Sequence, residues 1–421
     1  MSLLETAGAQ ALLAEADVSA DQVRGCQKRL NAFLERYLPH FYRKEQRVNA
    51  GVVMRGLLSD MERKTCEPVA YREGRTRKPI QFFVGSGLWD DEAVMSELRG
   101  HVVEDLADPG GVLVLDPSAF VKKGTESCGV KRQWCGRLGK VENCQLGVFM
   151  AYASEKGYGP LDRQLFLPEE WAKDDARREK CHVPREAVCR KTWEIGRDMI
   201  VRHGGSVPHS WVAGDDEFGR PAEFRAWLRS RGERYVLDVP SNTLVRDQER
   251  RRPPRRRAGQ GRRREVPFVR ADKWAKRLAP SRWKRITVRD GHKGQLVVEA
   301  AESWVITKQD GRVGPRERLV VIRTITGEPR TWYVLTDADH SIETIVRVHA
   351  ARHRIEQVFQ EAKGEVGLAH YEVRSWVGWH HHMTLALLAM WFVRTEAVRL
   401  GGKIAGRDGA ANPAHLLGVA S

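Results

Sequence analysis

A mixed α/β fold with a helical N-terminal domain is predicted by three observations. Apolar residues recur at helical spacing within residues 1–105. Short strands and helices alternate from residue 110, and a β-branched segment interrupts that alternation before a last helical region. In the first region "RGCQKRLNAFLERYLPHF" and "AVMSELRGHVVEDLA" carry the helical period, and "YREGRTRKPIQFF" between them reads as a basic loop. "VLVLD" is the first strand, "CQLGVFMAYAS" the second and "RQLFLP" the third. The turn "EKGYGP" predicts that the second and third form an antiparallel hairpin. A helix is expected near 185–203, followed by the strand in "SWVAGDDEFG", the helix "PAEFRAWLRSRG" and the strand "RYVLDV".

Residues 246–264, "RDQERRRPPRRRAGQGRRR", hold ten arginines against two acids, a net +8. Their prolines and glycines oppose regular structure. A flexible cationic loop is therefore expected, with Arg255, Arg256 and Arg257 as contacts to a DNA backbone. Residues 266–336 read as β-rich: "QLVVEAAESWVITKQDGRVGPRERLVVIRTI" sets two β-branched runs about a glycine turn, and "TWYVLTD" adds a strand. A helix is expected from Ser341 to Lys363, capped by Gly364. "HHHMTLALLAMWFV" reads as a core helix whose leading His380, His381 and His382 stay on the surface or near DNA. The domains expected from these changes are 1–105 (helical, for DNA binding or dimerisation), 106–242, 243–340 (basic loop and β-insertion), 341–395 and a tail, 396–421.

The chain has 421 residues, a net charge of +16 and a pI near 9.7, a balance that calls for a polyanionic partner, either nucleic acid or an acidic membrane surface. No run of 18 apolar residues exists, so no membrane span is expected. The N-terminus lacks the charged start and apolar block of a signal peptide. Seven scattered cysteines with no C-x-x-C pair read as reduced thiols in a cytosolic protein. Cys181, His182 and Cys189, though close in sequence, do not have the spacing of a structural zinc site.

Asp116 and Asp215 each end an apolar strand, where ligands of α/β sheets bind. Asp216 is a weaker rival to Asp215. In "HAARHRIEQVFQEAKGEVG", His349, Arg352, Glu356 and Lys363 stand at steps of 3, 4 and 7, along one side of a helix. Glu356 is thus the third candidate acid. Three carboxylates suit two hard divalent ions, Mg²⁺ or Mn²⁺, and the flanking cations suit a phosphate.

"VLVLDPSAFVKKGTESCGVKRQWCGRLGKVENCQLGVFMAYAS" resembles the first catalytic block of bacterial DDE insertion-sequence transposases of the insertion sequence 701 group, also described as DDE superfamily endonucleases. "WVAGDDEFG" resembles the second block, "RIEQVFQEAKGEVGLAHYEVRSWVGWHHHMTLALLA" the third and "MRGLLSDMERKTCEPVA" the N-terminal region, so the resemblance runs from about 50 to 395. It implies an RNase H-like catalytic domain with Asp116, Asp215 and Glu356 as triad and metal ligands. Two Mg²⁺ ions per site (Mn²⁺ as substitute) are implied, with Asp116 bridging them. The 141-residue gap between 215 and 356 resembles the β-insertion of this branch. The branch also carries a Tyr-Arg-Glu-Lys signature on the helix of the third acid, which this sequence resembles at Arg352, Glu356 and Lys363, with His349 where the tyrosine would stand; Pro117 likewise replaces a frequent acid.

The implied activity is cut-and-paste transposition: metal-dependent cleavage and strand transfer at the ends of the protein's own mobile element. The implied partners are duplex DNA with terminal inverted repeats, target DNA and a second copy of the chain, in the bacterial cytoplasm and at the nucleoid. Lys122 and Lys123 are expected to bring cations to the DNA, and Trp304, inside the insertion, to stack on a displaced base. The alternatives are a nuclease without strand transfer and an inactive DNA-binding relative.

Overall fold

The N-terminal helices are amphipathic, and their apolar stripes make one shared core. The computed structural model describes residues 24–249, 266–291 and 294–400, together with Ser19 and Asp21. Helices α1 (Cys26–Glu35), α2 (Lys44–Leu57), α3 (Cys66–Arg72), α4 (Arg77–Gly85) and α5 (Asp91–Leu106) come first. In α1, Cys26, Leu30 and Leu34 recur every four residues and are buried. The carboxylate of Asp90 caps α5 by accepting from the backbone amides of Glu92 and Ala93. The stretch 71–83, expected as a basic loop, is mostly helical. Ile80, Phe83 and Val84 form a buried stripe in α4 that outweighs the surrounding charge.

Strands β1 (Val112–Val121), β2 (Lys131–Cys135), β3 (Lys140–Ser154) and β4 (Gly157–Leu165) follow. The predicted hairpin is β3–β4, antiparallel. After α6 (Thr192–His203) come β5 (Trp211–Gly214), α7 (Ala222–Ser230) and β6 (Tyr235–Asp238). β1 pairs antiparallel with β3 and parallel with β5, and β5 pairs parallel with β6. The resulting order, β4-β3-β1-β5-β6, is an RNase H-like sheet of three antiparallel strands continued by a parallel pair.

The insertion supplies β7 (Leu244–Asp247), β8 (Val269–Arg270), β9 (Lys284–Gly291), β10 (Gly294–Gln309), β11 (Arg312–Thr324) and β12 (Thr331–Thr336). It extends the same sheet, because β12 pairs antiparallel with β6. The buried acid Glu317 of β11 locks the seam, accepting from Arg225 Nε at 2.9 Å, the Tyr235 hydroxyl at 2.7 Å and the Thr307 hydroxyl at 3.2 Å. Arg255, Arg256 and Arg257 lie outside the described residues.

Helices α8 (Ile342–Glu365) and α9 (Trp376–Arg399) complete the described chain. Helix α8 runs through Gly364 rather than stopping there; the left-handed turn falls at Gly367, with φ of 65°. The expected break at 395/396 falls inside α9, where the buried Glu396 carboxylate pairs with Arg29 of α1 at 2.7 Å. His380, His381 and His382 are core residues, not surface ones. His381 stacks on Trp89 at 3.9 Å between the carbonyls of Val84 and Trp89, and His382 faces the carbonyl of Gly367 at 3.0 Å. Burial pushes His380 and His382 down to about 4, so they pack as neutral rings. Residues 378–392 of α9 are buried on every side of the helix, so its histidines face protein like their neighbours.

Candidate active site

Register places the acids. Leu115 of β1 pairs with Gly214 of β5, which pairs with Leu237 of β6. The next residue on each strand line is an acid: Asp116, Asp215 and Asp238. Side chains one step along a parallel row share a face, with neighbouring strands about 4.8 Å apart. Three carboxylates therefore stand in a row where the parallel strands stop. Asp116 lies in mid-strand rather than at a strand end, as β1 continues to Val121 against β3 alone. Because β5 has ended, β1 has no strand on that flank, and Pro117 is tolerated there without an amide proton.

Helix α8 closes the site from above. Asp116, Asp215, Asp238, Arg352, Glu356 and Lys363 all line one cavity of about 1510 Å³. Asp116 is buried and accepts one hydrogen bond, from the Ser118 hydroxyl at 3.1 Å. Burial first, then the charge of Glu356, pushes its carboxyl up to about 6, against the pull of Arg352 and Lys363. Asp215 is also held well above the usual carboxylate range, by burial and then by Asp116. One of its oxygens caps the next turn, accepting from the amide of Glu217 at 3.1 Å. Asp216, the rival, is committed to Arg220 at 2.7 Å. Glu356 is half exposed in the cavity and held below its usual range, chiefly by its contact with His353 at 3.2 Å and also by Arg352 at 3.4 Å.

Arg352 is buried among Asp238, Glu356, Asp215 and Asp116 and bonds Asp238 Oδ2 at 2.8 Å. Lys363 is buried over the Phe120 ring at 5.4 Å. His349 also lines the cavity, but it is only 3% exposed and pairs with Asp238 at 3.0 Å, which leaves little of it for a DNA strand.

Lys122 and Lys123 do not line this cavity. The Lys122 ammonium donates to the Tyr371 carbonyl at 3.0 Å and sits 3.3 Å over that ring, while Lys123 is exposed. Trp304 is half-buried on β10 under the Arg316 guanidinium, 4.4 Å from its ring; the tryptophans that line the cavity are Trp134 and Trp332. Asp238 and His353 were missed by the sequence reading. Asp238 ends "RYVLD", the same apolar-strand-then-acid signal that marked Asp116 and Asp215.

The donor set fits hard divalent cations. Asp116 and Asp215 make no salt bridge among the described residues and repel each other, an imbalance that a bound cation removes. Carboxylates grouped in this way over an RNase H-like sheet are what a metal-assisted phosphodiester enzyme requires. Residues 36–295 match the family described as DDE superfamily endonuclease, and the chain belongs to that family. The matched span contains Asp116 and Asp215 and stops before Glu356. The chain is also 30% identical, over 116 residues, to the protein of Microchaete diplosiphon named "Probable transposase for insertion sequence element IS701". That alignment covers 27% of this chain and 30% of the relative. Among the described residues, no helix is long and apolar enough to cross a membrane.

Proposed function

We propose that the protein is a DNA transposase that cleaves DNA at the ends of its own insertion sequence and joins them to target DNA. Asp116, Asp215 and Glu356 act as the metal-binding triad. The observation that carries this reading is the meeting of these acids, remote in sequence, in one cavity with Arg352 and Lys363. Two bound Mg²⁺ ions would supply an activated oxygen nucleophile and neutralise the departing 3′-oxygen. The chain's own part is to hold Asp116 between Asp215 and Glu356, and to set the Arg352 and Lys363 charges where the scissile phosphate enters. Strand transfer repeats the same displacement: the freed 3′-hydroxyl attacks a target phosphodiester, one P–O bond forms and another breaks, and no redox partner is needed. Duplex DNA with inverted repeats, a pairing of two protomers across two ends and a place at the nucleoid follow from this reading.

Supercoiled plasmid carrying the DNA that flanks the reading frame, incubated with Mg²⁺ or Mn²⁺, tests it. Wild type should nick the plasmid and yield joined products, and Asp116→Asn should do neither. Nicks without joining would make the protein a nuclease, and binding without nicking an inactive relative.

A further inference from the structure

At the β6 end of the carboxylate row, Asp238 belongs to a second cluster of a different chemical kind. Asp238, His349 and His353 each offer one ligand atom, and these atoms lie within 4.8 Å of one another. The two histidines are an i, i+4 pair on α8, so both imidazoles leave the helix on one side, toward the end of β6. His349 is 3% exposed. Its Nε2 stands 3.0 Å from Asp238 Oδ1, yet neither atom has a hydrogen-bond partner among the described residues. Two polar atoms at that separation without hydrogen-bond alignment are spaced like adjacent ligands of one cation, given metal–ligand bonds of about 2.0–2.2 Å. Asp238 Oδ2 is fixed by Arg352 at 2.8 Å, an outer contact of the kind that orients a ligating carboxylate and leaves Oδ1 facing the imidazoles. The Trp332 ring packs 5.6 Å from His349 and 4.8 Å from His353 and walls the cluster on one side.

We propose that Asp238, His349 and His353 form a binding site for a borderline divalent transition ion such as Zn²⁺ or Co²⁺, separate from the Asp116–Asp215–Glu356 site. Two imidazoles and one carboxylate select such an ion over Mg²⁺, which takes oxygen donors. The fourth position opens on the cavity that the three residues line. Ligation turns the His353 ring away from Glu356, now 3.2 Å from Nδ1, and from Arg352 Nη2, 3.2 Å from Nε2. Occupancy of this site thus releases Glu356 from an imidazole, which couples the transition ion to the neighbouring carboxylates.

The test uses the untagged full chain carrying Asp116→Asn and Asp215→Asn, which disables the oxygen-ligand site, titrated with Co²⁺. One equivalent should bind with the intense visible absorption of a four-coordinate nitrogen- and oxygen-ligated ion. His349→Ala and His353→Gln, each added to that background, should weaken binding at least about tenfold. His353 is partly exposed, so its variant carries the test if His349→Ala does not fold. Absence of the band, or a band that the folded His353 variant leaves unchanged, overturns the site. Neither result bears on plasmid nicking by the wild type, so this inference and the transposase reading fail separately.

Discussion

Asp116 and Asp162 are both buried on the same sheet, yet their carboxyls lie at about 6 and about 2. Asp162 of β4 pairs with Met150, and Met150 with Leu115, so the two acids are two strands and one residue apart, on opposite faces. Burial pushes both carboxyls upward. Asp162 has partners on every side: His203 Nε2 at 3.0 Å, the guanidinium groups of Arg202 at 3.1 Å and Arg163 at 3.7 Å, and the Arg163 amide at 2.8 Å. Asp116 has one serine hydroxyl, two acidic neighbours and no ion pair among the described residues, so the pull of Arg352 and Lys363 does not offset its burial. A buried acid with its counter-charges supplied belongs to the architecture, whereas one left with like charges is built for something that arrives later.

The largest expected effect separates the two acids by activity. Asp116→Asn, Asp215→Asn or Glu356→Gln should each lower plasmid nicking by about 10³-fold or more, since members of one site act as a unit. Asp162→Asn should leave nicking per folded molecule unchanged. Instead it weakens the buried contact with His203 and the ion pair with Arg202, and should cost about 1–3 kcal/mol of stability, read by denaturant titration. Loss of nicking in Asp162→Asn at full folding would break the comparison.

Stability without metal should separate them with opposite sign. The folded Asp116 carboxyl is raised, so the native state binds more protons than the unfolded one between about pH 4 and pH 6, and stability falls as pH rises through that window. At neutral pH, Asp116→Asn should therefore stabilise the metal-free protein, by up to roughly 3 kcal/mol at 1.36 kcal/mol per pH unit. Asp162 is depressed, so its contribution is complete above about pH 4 and is lost as pH falls toward 2. Added Mg²⁺ should raise the melting temperature of wild type and leave that of Asp116→Asn unmoved. Nicking at limiting Mg²⁺ should rise with pH through about 6, as Asp116 ionises, and lose that step when Mg²⁺ is saturating.

Much of this was legible in the sequence. The strands "VLVLD", "WVAG" and "YVLD", the β3–β4 hairpin and the cationic side of α8 all follow from local patterns of two or about 3.6 residues. The acids were found because a lone carboxylate closing an apolar run is conspicuous. Asp238 shows the same sign but drew no notice without β6 placed beside β5. What stayed hidden depends on neighbours far away in the chain. His380, His381 and His382 read as surface residues, yet they are buried by segments far away in the chain or beyond the helix, His381 against Val84 and Trp89 and His382 against Gly367 and Tyr371. The step from "YREGRTRKPIQFF" to helix failed because its charges masked two apolar positions, Ile80 and Phe83, that tertiary packing uses.

The smallest effect concerns Lys122, which applies the same contrast to a cation. A lysine that neutralises a DNA phosphate contributes about 0.9 to the slope of log affinity against log salt. Lys122 spends its ammonium on the Tyr371 ring and carbonyl, so Lys122→Met should leave that slope unchanged, while Lys363→Met, in the cavity, should reduce it by about 0.9. Burial lowers Lys122 from its usual range to about 7. Between there and about pH 10 the unfolded chain holds the proton more tightly than the native state does, so stability should rise with pH across that interval. Lys122→Met should remove this rise. A slope that drops in Lys122→Met, with the rise retained, would place Lys122 on the DNA and return it to the role its sequence position suggested.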